Sequence, residues 1–215
     1  MGYKLAIFDL DGTLLDTTQG VIECVENAAK ELGFPRKDMS ELITFIGPPL
    51  QDSFQRVYGC DKERADEATA VFRKFYSGGL MYHAKPYDGI LEQCEHLKDA
   101  GVLLAVATYK KEEYALDLLK HFGFDQYLDV IRGADKDNHL TKKDIVELCV
   151  KEAGVSKKES VLIGDTLFDA KGASEAGVDF VAVTYGFGFH NPADFAEYPY
   201  IGVAEFTDEI EWMIK

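Results

Sequence analysis

Short apolar runs punctuate the chain at intervals, and each ends on a polar residue. Leu5 to Phe8 runs into Asp9-Leu10-Asp11-Gly12, a pattern that predicts a buried strand entering a turn. Residues 103–107 (LLAVA), 161–163 (VLI) and 180–183 (FVAV) repeat it. Runs that are apolar on both faces suit a parallel sheet covered by helices on each side. Between them, Ile90, Leu91, Cys94, Leu97 and Lys98 follow helical spacing up to a stop at Gly101. Tyr114, Leu118, Leu119 and Phe122 do the same up to Gly123. This alternation from residue 86 onward predicts an α/β fold with a doubly wound, Rossmann-like parallel sheet. Sites in such sheets gather at the carboxyl edge, and three of the strands end at Asp9, Thr108 and Asp165.

Residues 16–83 break the alternation. Val21–Leu32 (stopped by Gly33), a stretch near Ser40–Phe45, Leu50–Tyr58 and Asp61–Tyr76 all read as helices, with Gly47-Pro48-Pro49 and Gly78-Gly79 as breaks. The expected organisation is therefore an α/β core domain of residues 1–15 and 84–215, with an all-α cap domain of residues 16–83 inserted after the first strand.

Composition narrows the function. With 215 residues and 47% of them hydrophobic, the chain can bury a sizeable core. The net charge of −15 argues against nonspecific binding to nucleic acid polymers or anionic membranes. A small anionic substrate remains compatible, because a few cations and a metal can reverse the field in one pocket. Cys24, Cys60, Cys94 and Cys149 form no CxxC pair and are expected as free thiols in a reducing cytosol. No signal peptide or membrane-length run is present, so a cytoplasmic monomer or weak homodimer is expected.

Candidate chemistry sits at the strand ends. Asp9 and Asp11, two apart, can be aimed into one pocket by a turn beginning at Leu10; the competing reading is a surface Asp-Gly turn. A calcium loop of the EF-hand kind fails, because its glycine belongs at the sixth position after a helix. Asp165 ends another strand, and Asp169 follows four residues later at the opening of a helix, where the dipole alone would favour an acid. Two unit charges about 4 Å apart repel by roughly 4 kcal/mol at an effective dielectric of 20, so four converging acids call for a cation. Oxygen ligands without nearby His or Cys favour Mg²⁺ over zinc. Thr108 precedes Tyr109-Lys110-Lys111 and a helix, and reads either as a phosphate ligand or as a helix cap. Lys142 follows Thr141 in a capping-box start, where the dipole disfavours a cation. Its expected partner is a phosphate or the carboxylate cluster.

Together these residues resemble the haloacid-dehalogenase-like superfamily of phosphotransferases, in order and along essentially the whole chain. The motifs are Asp9 to Asp16 (DxDGTLxD), Thr108, Lys142 and Gly164 to Asp169 (GDxxxD). The resemblance implies that Asp9 attacks phosphorus to form an aspartyl-phosphate, while Asp11 protonates the leaving oxygen and then activates water. It also implies that Mg²⁺ is held by Asp9, the Asp11 carbonyl, Asp165 and Asp169, and that Thr108 and Lys142 bind the phosphoryl group. Gly12, Tyr109 and the cap residues Gly47, Pro48 and Phe54 are further expected substrate contacts, with Arg56 also able to face the pocket. The acid at position 11 excludes a dehalogenase, and Thr17-Thr18-Gln19-Gly20-Val21 lacks the cap histidine of the sugar-phosphate mutases. The expected activity is hydrolysis of a small phosphorylated metabolite, of the phosphoglycolate phosphatase-like or 5′-nucleotidase-like kind. The rival expectations are a phosphomutase of the β-phosphoglucomutase type and a non-catalytic phosphate-sensing protein.

Overall fold

The computed structural model describes residues 2–135 and 139–215. The chain divides into two compact units, one of Met1–Leu15 with Pro86–Lys215 and one of Asp16–Lys85.

The first unit is built on a parallel sheet. Its strands are β1 (Leu5–Phe8), β4 (Leu103–Lys111), β5 (Val130–Ala134), β6 (Ser160–Gly164), β7 (Asp179–Val183) and β8 (Gly202–Ala204). They lie in the order β5-β4-β1-β6-β7-β8. The short strands β2 (Leu15–Asp16) and β3 (Lys85–Pro86) occupy the two points where the chain passes between units. β1 is central, and its four residues are completely buried, as a strand covered on both faces requires. Phe8 lies opposite Val106 of β4 on one side and Ile163 of β6 on the other. Asp9 therefore stands one residue beyond this common level, and Thr108 and Asp165 two residues beyond it. The chain leaves β1 towards β4 and β5, then returns on the other side through β6. The switch in direction thus falls at β1, where ligand crevices form in sheets of this kind.

The sheet's helices are α5 (Ile90–Asp99), α6 (Glu112–His121), α7 (Lys142–Ala153), α8 (Leu167–Ala176) and α9 (Ile210–Ile214). Two strands escape the hydrophobic pattern. β5 reads Val-Ile-Arg-Gly-Ala, so Arg132 and Gly133 interrupt its apolar run, and β8 has only three residues at the sheet's edge. The run at 103–107 also continues further than its apolar residues suggest. β4 extends to Lys111 through a register shift between Ala107 and Lys111, and Lys111, not Thr108, is the N-cap of α6.

The second unit contains α1 (Thr18–Leu32), α2 (Met39–Leu42), α3 (Leu50–Tyr58) and α4 (Lys62–Ser77). α4 packs on both α1 and α3. Gly33 ends α1 in the left-handed conformation, and Asp61 caps α4 by accepting a hydrogen bond from the Arg64 amide at 2.9 Å. Its interior is an aromatic cluster, in which Phe54 meets Phe45 edge-on at 5.0 Å and stacks near Tyr58 at 5.9 Å. Phe54 is fully buried there, which corrects its expected role as a substrate contact. Arg56 is engaged within the unit as well, donating to the carbonyl and hydroxyl of Thr44 at 2.8 and 2.9 Å. Gly47 and Pro48 lie in the turn before α3, Gly47 with φ of 98°. No helix among the described residues is long and apolar enough to cross a membrane. None of the four cysteines is in a disulfide; Cys60 is half-buried and the others are buried.

Because Phe54 is a core residue, Phe54→Ala should cost about 3 to 5 kcal/mol of stability, measured by denaturant titration. An effect near zero would place the ring outside the core.

Candidate active site

The turn after β1 winds tightly around one carbonyl. Leu10 O accepts hydrogen bonds from the amides of Leu14 and Leu15 at 3.0 and 2.9 Å. Asp9 keeps the sheet's ladder, its amide donating to Ile163 O at 2.9 Å, so its side chain is delivered from a fixed backbone. Gly12 is required by both conformation and space. Its φ is 91°, and a Cβ there would lie 2.2 Å from Asp165 Oδ2.

Asp165 is completely buried. Its Oδ2 accepts from the amides of Phe187 and Gly188, each at 3.1 Å, and Thr13 Oγ1 stands 3.5 Å from Oδ1. The loop after β7 approaches so closely that a Cβ on Gly186 would lie 2.5 Å from the same carboxylate. Tyr185, beside it, donates its hydroxyl to Thr13 O at 3.1 Å and supports the turn from behind.

Asp169 does two things. Thr166 is the N-cap of α8, and Asp169 Oδ2 accepts from its amide and hydroxyl at 3.0 and 2.6 Å, closing a capping box. Oδ1 stands 2.6 Å from the ammonium of Lys142, close enough for an ion pair but outside hydrogen-bonding alignment. It is thus one of the few buried polar atoms among the described residues without a hydrogen bond.

Lys142 opens α7 and is buried, with its Nζ also 2.6 Å from Asp9 Oδ1. Gly172 of α8 leaves room for its stem, since a Cβ there would lie 2.5 Å from Lys142 Cγ. Tyr109 meets Lys142 directly. The tyrosine hydroxyl accepts from the Lys142 amide at 2.9 Å, and the ammonium sits 5.9 Å from the ring centroid. Tyr109 spends its hydroxyl on placing the lysine. Thr108 is buried, and its hydroxyl accepts from the Lys110 amide at 3.1 Å.

Carboxylate oxygens of Asp9, Asp165 and Asp169 lie within 4.8 Å of one another. Burial, with Asp169 and Asp9 adding repulsion, pushes the Asp165 carboxyl well above the usual range. Burial likewise raises Asp9 to about 7; Lys142 opposes the shift, and Asp169 and Asp11 add to it. For Lys142, burial works against the ammonium, but Asp169 and Asp9 outweigh it and hold the pKa above the ordinary lysine value. With all three carboxylates ionised, one ammonium would leave an excess of two negative charges. A hard divalent cation would neutralise that excess, and the unbonded Asp169 Oδ1 offers it a ligand atom.

Sequence reasoning passed over two features. Lys110 places its ammonium 2.9 Å from Asp11 Oδ2, with both side chains nearly buried. No local pattern gave it away, because β4 shifts register between Ala107 and Lys111. The loop at 185–188 supplies amides to Asp165, and its paired glycines were the clue. Of the expected residues, Asp9, Lys142 and Asp169 are joined by direct contacts, Asp165 joins Asp9 and Asp169 in the carboxylate group, and Asp11 is near enough to add to the repulsion on Asp9.

The sequence profile of the haloacid dehalogenase-like hydrolases matches residues 6–183, and the chain belongs to that family. A 5′-nucleotidase of Pseudomonas aeruginosa is 37% identical over 187 residues, covering 86% of this chain and 85% of that protein. The tyrosine-protein kinase PtkA of Mycobacterium tuberculosis is 35% identical over 86% of this chain, which spans only 63% of that longer protein. A crystal structure described as a predicted phosphatase from Clostridium acetobutylicum superposes with a TM-score of 0.92 at 32% identity, covering 100% of this chain and 99% of that one.

Without a bound cation, the pH dependence has a definite sign. Asp9 has a folded pKa of about 7 against an unfolded value near 3.8. The stability due to its protonated form is therefore complete below the unfolded value and lost as pH rises through about 7. In chelator, Asp9→Asn should gain in Tm relative to wild type as pH rises from about 5 to about 8. An equal difference at both ends of that range would contradict the raised pKa.

Proposed function

We propose that this chain is a Mg²⁺-dependent phosphomonoester hydrolase acting on a small phosphorylated metabolite through an aspartyl-phosphate on Asp9. The observation carrying this reading is the meeting of Asp9, Asp165 and Asp169 at the carboxyl ends of β1 and β6 and the start of α8, with the buried Lys142 paired to Asp9 and Asp169.

Asp9 attacks phosphorus with one carboxylate oxygen, and the ester oxygen departs with a proton supplied by Asp11. Asp11, now a carboxylate, takes a proton from water. The resulting nucleophile attacks the phosphorylated Asp9, releasing inorganic phosphate and restoring both groups. Lys142 and Thr108 bind the equatorial oxygens of the transferring group, and Gly12 lets the backbone approach them. Asp9, Asp165 and the Asp11 carbonyl, with Asp169 directly or through water, would hold Mg²⁺, which would supply charge stabilisation for the phosphoryl oxygens. We assign choice of the leaving group to the helical unit, with Gly47 and Pro48 as its candidate contacts. The 5′-nucleotidase relative supports a nucleoside monophosphate, with phosphoglycolate as the alternative ester.

Phosphate release should be measured over phosphoglycolate, nucleoside monophosphates, pyrophosphate and sugar phosphates. Turnover should require Mg²⁺ and vanish in chelator. Asp9→Asn should lose about four orders of magnitude in kcat, because the nucleophile is gone. Near-wild-type release by that variant would end the mechanism. Sugar-phosphate isomerisation activated by a bisphosphate, with no free phosphate, would establish a mutase instead.

A further inference from the structure

We propose that Lys110 is a positioning residue, whose ammonium fixes the Asp11 carboxylate where it exchanges a proton with the ester oxygen. The inference rests on the reading of Asp11 as acid and base, and adds to it a residue outside the four motifs named above.

The geometry begins with the extension of β4 beyond Thr108. Within that extension, where the register shifts, Thr108 and Lys110 are linked by the hydrogen bond between the Lys110 amide and the threonine hydroxyl. The strand end is held by its neighbours. A Cβ on Gly133 would lie 2.6 Å from Lys110 O and from the Glu112 backbone, so β5 packs directly against it. Glu112 accepts from the Gly133 amide at 3.2 Å and pairs with Arg132 at 3.3 Å. Lys110 therefore projects from a fixed backbone, which lowers the entropic cost of ordering a four-carbon stem.

Its ammonium reaches Asp11 Oδ2 at 2.9 Å, and the two side chains are only 9% and 11% exposed. Water screens such a pair far less than a surface ion pair, and removing one partner leaves the other charge nearly buried and unneutralised. The two carboxylates of the first motif thus have separate lysines from separate elements. Lys142 of α7 serves Asp9, and Lys110 of β4 serves Asp11. This division keeps Asp11 from turning towards Lys142 and competing with Asp9 for it.

A leaving-group comparison tests the role. p-Nitrophenolate departs without a proton, whereas an alkoxide needs one from Asp11. Steady-state kinetics would be measured for wild type, Lys110→Met, Lys110→Arg and Asp11→Asn on p-nitrophenyl phosphate and on the best alkyl phosphate of the release screen. Lys110→Met should lower kcat at least about tenfold on the alkyl ester and less than about threefold on the aryl ester, with KM nearly constant. Lys110→Arg should recover part of the loss, because it keeps the charge but not the ammonium's shape. Equal losses on both esters, a loss carried by KM, or wild-type behaviour of Lys110→Met would overturn the proposal. If Asp11→Asn discriminates between the esters while Lys110→Met does not, the fault lies with Lys110 alone. If Asp11→Asn does not discriminate either, the acid–base reading of Asp11 falls and takes the proposal with it.

Discussion

Three carboxylates buried together, two of them paired with a single ammonium, are the constraint to which the rest of the core domain answers. Like charges within 4.8 Å in a site closed to water repel strongly, and Lys142 alone does not balance them. The protein holds them there by making each acid the end of something rigid. Asp9 continues β1, Asp165 follows β6, and Asp169 belongs to the capping box of α8. None can move away from the others without disturbing a strand or a helix start. Burial first, and repulsion between the acids second, push the carboxyls of Asp9 and Asp165 upward.

The supports around the cluster follow from the same need. Glycines at 12, 172 and 186 give up side chains so that backbone, lysine stem and carboxylate can approach one another. Tyr109 and Tyr185 do complementary work from either side, one receiving the Lys142 amide and the other bonding to the turn at Thr13. Such neighbours contribute nothing to charge balance. They fix where the charges stand.

Much of this was legible in the sequence, and the reasons are physical. Leu5–Phe8 is apolar at every position because β1 is covered on both faces, so its strand and the acid beyond it stood out. The capping residues Thr141 and Asp61 marked the starts of α7 and α4 for similar local reasons. What stayed hidden depended on distant neighbours. β5 carries an arginine that pairs with Glu112 and Glu152, so its polar residue belongs to an ion-pair network that no local pattern reveals. Phe54 looked available beside the Gly47-Pro48-Pro49 turn, but its place among Phe45 and Tyr58 is decided by helices packing together. The partnership of Lys110 with Asp11 joins segments almost a hundred residues apart in sequence, and only the sheet's register brings them together.

Asp169 holds a lesson about tolerance to change. One of its oxygens starts a helix while the other faces the charge cluster, so two unrelated demands fall on four atoms beyond the backbone. Asparagine would keep an acceptor for the cap and lose the charge. Glutamate would keep the charge and overshoot the cap by a methylene. The sequence space open at this position is therefore narrower than either duty alone would impose, and the start of α8 cannot drift independently of the chemistry beside it.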